Sequence, residues 1–81
     1  MTNIADYESR KAAANLYADE CVAILAAQTG VEPSRINREP FINHCFSRLM
    51  DGNSPRSPEE QVDYAVAIWR PEHLGIAEAQ A

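Results

Sequence analysis

Apolar residues recur at spacings of three and four in three stretches of the chain, and outside the alanines of 77–81 nowhere do they alternate with polar ones over five or more positions. The first stretch runs from Asn3 to Gln28 and contains neither Gly nor Pro. Within it Ala14, Tyr17, Ala18, Cys21, Ile24 and Leu25 lay one stripe along a helix. Leu16, Val22 and Ala23 fall off that stripe, which makes the distal half apolar on two sides. Gly30 suits the position just past the helix end. A second helix is predicted over 40–50, with Pro40 in its first turn and Phe41, Cys45 and Leu49 stacked on one face beside Ile42, Phe46 and Met50. Asp51-Gly52-Asn53 closes it.

Ser57-Pro58-Glu59-Glu60 predicts a third start, with Ser57 as N-cap, Pro58 as first helical residue and Glu60 completing a capping box. The helix is expected to run to residue 70, with Val62, Ala65, Val66 and Trp69 inward, and to stop at Pro71. A short helical turn over 71–75 and a frayed tail over 76–81 complete the reading. The prediction is a single small all-α domain over 1–81: a three-helix arrangement with a long N-terminal helix (3–28, 40–50 and 58–70) and a short C-terminal turn and tail. At about 1.5 Å per residue the first helix approaches 40 Å. That exceeds the roughly 25–30 Å breadth of so short a globule, so the helix must protrude, bend or pack on another chain.

Composition narrows the classes of function. Of 81 residues, 46% are hydrophobic, but 13 are Ala and only 16 are Leu, Ile, Val or Phe. A chain this small, with so little large aliphatic surface, has no room for an enclosed active site or several domains. No run of 18 apolar residues is present to cross a membrane, and Met1 to Asp6 lacks the basic start of a signal peptide. A cytoplasmic setting is therefore expected, with Cys21 and Cys45 reduced and packed in helices.

Enzymatic chemistry finds no foothold. Metal-binding spacings such as Glu-x-x-His, His-x-x-x-His and Cys-x-x-Cys are missing, and His44 and Cys45 point about 100° apart on a helix. Gly30, Gly52 and Gly75 are too scattered for a phosphate loop. His44 and His73 each lack a nearby nucleophile motif. Neither a catalytic residue, nor a metal site, nor a cofactor is expected.

Residues 26–38 carry one motif. Ala26, Gly30, Val31 and Ile36 fall at the spacing that resembles the helix-turn-helix of bacterial repressors. The resemblance implies that Ser34, Arg35, Asn37 and Arg38 would face a DNA major groove. Pro40 departs from it, since it would fall inside the recognition helix. Net charge also runs against it. The formal net charge is −5, and only 31–57 carries a positive balance, whereas nucleic-acid affinity draws on neutralised phosphates.

Tyr7, Tyr64, Ile68 and Leu74 stand outside what three short inward faces require. Apolar and aromatic residues left over in this way, rimmed by charge, mark contact surfaces. The sequence thus predicts a non-enzymatic protein-binding module: a small acidic regulator, inhibitor or accessory subunit, with those four residues at the contact. Its partner would be a larger protein or complex, including one that handles nucleic acid. The alternatives are a divergent helix-turn-helix protein, an inhibitor of a host nuclease complex of the kind mobile elements carry, and a self-assembling bundle.

Overall fold

The computed structural model describes residues 4–77. It is all-α among these residues: α1 (Ile4–Thr29), a 3-10 turn (Pro33–Arg35), α2 (Glu39–Met50), α3 (Pro58–Ile68) and the single turn α4 (Pro71–Leu74). The expected boundaries hold to within two residues at every described helix end; Asn3 and residues 78–81 lie outside the described part.

Each boundary has a local cause. Gly30 takes φ +74° and donates its N–H to the Ala26 carbonyl, ending α1 in the left-handed conformation that glycine adopts most cheaply. At the end of α2 the Gly52 N–H reaches the Leu49 carbonyl and the Asn53 N–H that of Arg48, a Schellman pair. The Ser57 hydroxyl accepts from the Glu60 N–H at 3.3 Å and donates to its carboxylate at 2.9 Å. The box is thus closed side chain to side chain. α3 stops at Ile68, short of residue 70: its C-cap Trp69 is already extended (ψ 145°), and Arg70, ahead of Pro71, is held extended as well at ψ 142°.

α1 is the spine. At about 39 Å it accounts for most of the 49 Å long axis, against 21 and 17 Å across. α2 runs antiparallel along its N-terminal half: Arg38 pairs with Asp19, while Phe46 meets Tyr7 and Met50 meets Arg10 farther toward the N-terminus. α3 begins beside Cys21, where the thiol faces the Pro58 carbonyl at 3.9 Å. The core between them holds Ala14, Tyr17, Ala18, Cys21, Val22 and Leu25 of α1, with Phe41, Cys45, Val62 and Ala65.

Three expectations need correction. Val66 is 41% exposed and does not face inward, because Gln61 (3% exposed) takes the inward place beside Val62 and Ala65. Gln61 is drawn there by two polar partners described below, and α3 is rotated to suit. Leu74, expected at a partner surface, is fully buried. α4 folds back on the segment after the 3-10 turn, where Asn37 donates from its backbone N–H to the Leu74 carbonyl (2.9 Å) and from Nδ2 to that of His73 (3.0 Å). Ile76, expected to start a frayed tail, is likewise in the core at 1% exposure.

Candidate functional site

Arg56 organises the polar interior although it lies in an irregular connector. Its backbone N–H donates to His44 Nε2 at 3.0 Å, and its carbonyl accepts from the Tyr17 hydroxyl at 2.8 Å. Its guanidinium donates to Gln61 Oε1 at 3.0 Å and lies 4.3 Å from the centre of the Tyr64 ring. Gln61 in turn donates to the Pro40 carbonyl. Side chains from α1, α2 and α3 therefore converge on one residue, and no buried side-chain polar atom is left unpaired among the described residues.

These contacts set the ionisation of their neighbours. Burial, reinforced by the positive charges of Arg56 and Arg48, holds the His44 pKa below its ordinary 6.5, so the imidazole is neutral and its Nε2 is free to accept. Burial raises Tyr17 well above the usual tyrosine range and pushes the Cys21 thiol up to about 12, while Cys45 is raised for the same reason. Both cysteines are free and buried. Near neutrality the Tyr17 hydroxyl and both thiols are therefore held protonated. Among the described residues no cluster of three or more His, Cys, Asp or Glu could hold a metal ion, and no helix is long and apolar enough to cross a membrane.

The outer face of α3 is a mixed apolar and acidic surface. Tyr64 (44% exposed) and Ile68 (58%) lie one turn apart on one flank, while Val66 is exposed on the opposite flank of the helix. Glu59, Glu60 and Asp63 are exposed on the same helix. The Arg56 guanidinium against its ring limits the orientations open to Tyr64.

Tyr7 belongs elsewhere. Seven and eleven residues before Ala14 and Ala18, it continues the core-facing line of α1, yet it is 45% exposed because α3 starts only beside Cys21 and does not cover that end. It does not stand wholly outside the inward helix faces, as its spacing suggested. Its ring meets Phe46 edge-on at 5.4 Å between centroids. Tyr7, Lys11, Ile42, Asn43 and Phe46 line an open groove of about 150 Å³, and a shallower hollow bounded by Tyr7, Glu8, Lys11, Ala12 and Asn15 adjoins it. Ile42 and Phe46, placed by their spacing beside the Phe41–Cys45–Leu49 face, are partly buried against the core and reach this groove as well. Their place on the flank of the α2 stripe, away from Phe41 and Cys45, is the signal that separates them.

Residues 31–38 do not form a recognition helix. Ser34 and Arg35 lie in the 3-10 turn, Ile36 is extended and buried, and α2 starts only at Glu39. Arg38 turns back to α1, pairing with Asp19 at 2.7 Å and donating to the Asn15 carbonyl at 3.0 Å. Asn37 is engaged with α4. The four residues named by the repressor resemblance are thus spread over a turn and a connector, and the partners of Asn37 and Arg38 compete with any base contact.

No family model matches the chain, and neither a curated protein nor a solved structure matches it.

Proposed function

We propose that the protein is a non-enzymatic protein-binding module, acting as a small acidic regulator, inhibitor or accessory subunit of a larger assembly. The observation that carries this reading is the exposure of Tyr64 and Ile68 one turn apart on α3, with Tyr64 restrained by Arg56. Tyrosines that are already oriented lose little freedom on binding and commonly supply the energetic centre of an interface. Glu60 and Asp63 beside them suit a partner that offers basic groups at its rim, which speeds encounter and discriminates between partners. The interior supports the non-enzymatic part of the reading, since its polar groups are paired with one another and its thiols are held protonated.

The test is affinity capture with the immobilised chain from nuclease-treated lysate, comparing wild type with the Tyr64→Ala/Ile68→Ala double variant. A protein held stoichiometrically by wild type and depleted about tenfold or more by the double variant supports the reading. Equal capture by both chains, with the variant's helical circular dichroism intact, overturns the assignment to α3.

A further inference from the structure

We infer that the groove at the α1–α2 end is the contact for a second copy of this chain, which crosses it antiparallel. This does not rest on the role proposed for α3, which lies at the other half of the spine.

Three observations converge on it. The core-facing line of α1 continues through Tyr7 past the end of α3, so the groove is an interior surface without a cover. The residues bounding the adjoining hollow, Tyr7, Glu8, Lys11, Ala12 and Asn15, recur at the one-, three- and four-residue steps of a helix–helix seam. Their order along the chain is also self-complementary. In an antiparallel crossing centred between Ser9 and Arg10, Glu8 of one copy stands opposite Lys11 of the other, and Tyr7 stands opposite Ala12. A two-fold axis repeats both pairings, giving two ion pairs and two aromatic rings over small residues from one patch.

Charge favours this end for self-association. The chain carries −5 overall, but Asp6 and Glu8 are balanced by Arg10 and Lys11. The surplus acid lies mostly in α3 and beyond, so copies joined at the α1 N-terminal third keep their repelling parts apart. A crossing there also places two α1–α2 hairpins face to face, the arrangement of a four-helix bundle.

The test is sedimentation equilibrium on the full chain from micromolar to millimolar concentration. The expected species has twice the 9.0 kDa chain mass. Lys11→Glu and Glu8→Lys each place like charges together twice and are expected to weaken the dimer about tenfold or more, while the Glu8→Lys/Lys11→Glu double variant recovers it. Both side chains belong to exposed residues, so the variants are expected to fold. A monomer throughout the range overturns the inference. So does a dimer indifferent to the single changes, a double variant that fails to recover, or a dimer abolished by Tyr64→Ala/Ile68→Ala instead.

Discussion

Gly75 lies against the backbone carbonyl of Arg35, so closely that a Cβ on Gly75 would overlap the carbonyl oxygen. The same glycine has φ +83°. Contact and conformation together fasten α4 to the 3-10 turn and bury Leu74 and Ile76. Gly75→Ala is expected to cost more than about 2 kcal/mol, since the left-handed conformation alone costs about 1–2 for a residue with a side chain and here the backbone must move as well. Gly30→Ala meets no atom within 4 Å and is expected to cost only the roughly 1–2 kcal/mol of the left-handed conformation. Thermal unfolding of the two variants checks the difference, at roughly 4–8 °C per kcal/mol for a domain of this size.

Acid should loosen the connector at Arg56. His44 accepts the Arg56 N–H only while neutral, and its native pKa lies below the ordinary 6.5. The unfolded chain therefore binds a proton first as pH falls. The stabilisation is present in full above pH 6.5 and is lost as pH drops through that value toward the lower native one. Denaturant midpoints measured between pH 7.5 and 5 are expected to fall in wild type, and to fall less steeply in His44→Gln.

Alkali acts through the opposite sign. Cys21 is raised from 9.0 to about 12, and Tyr17 is raised too. Both groups are protonated in the native state when the unfolded chain has begun to ionise, so stability is expected to decline as pH rises above about 9. For the same reason the two thiols are expected to be inert to a disulfide reagent at pH 8 in the native protein and to react stoichiometrically in denaturant. Prompt labelling of the native chain would contradict the burial of both side chains.

Leu74 and Leu16 are the same residue type in opposite settings, fully buried and 65% exposed. Leu74→Ala is expected to destabilise by about 2–5 kcal/mol, a large share of what a small domain has. Leu16→Gln should stay within about 0.5 kcal/mol of wild type. Chemical denaturation of the two variants separates a core residue from a surface one.

The helices were legible in the chain because their signals are local: Gly52 after Met50, Ser57 before Pro58, Pro71 after Arg70. What lay beyond local reading was how one helix turns about its own axis. Val66 was expected inward on spacing alone, but the Arg56 and Pro40 contacts of Gln61 rotate α3 and leave Val66 outside. Leu74 looked surplus because nothing near it in sequence announces that Asn37 and Arg35, nearly forty residues earlier, will receive α4. Of the expected contact residues, Tyr7, Tyr64 and Ile68 are exposed, yet they divide between two surfaces, and Ile42 and Phe46 join Tyr7 only once α2 is laid antiparallel on α1. The 26–38 segment matched a repressor pattern in residue type, but the 3-10 turn and Pro40 give it a different backbone.

The spine arrangement has a kinetic consequence. α2 reaches α1 after a connector of only nine residues (30–38), whereas the ties that bind the rest join Tyr17 to Arg56 and Asn37 to Leu74 across 39 and 37 positions. Closing a longer loop costs more entropy before any contact rewards it. The α1–α2 hairpin is thus expected to become protected first, α3 to dock next through Arg56, and the Gly75 clasp to shut last. Pulse-labelled amide exchange during refolding would display that order, with the Asn37 amide among the last to be shielded. In the native protein the same hierarchy would run in reverse, with the clasp opening most often and the hairpin least.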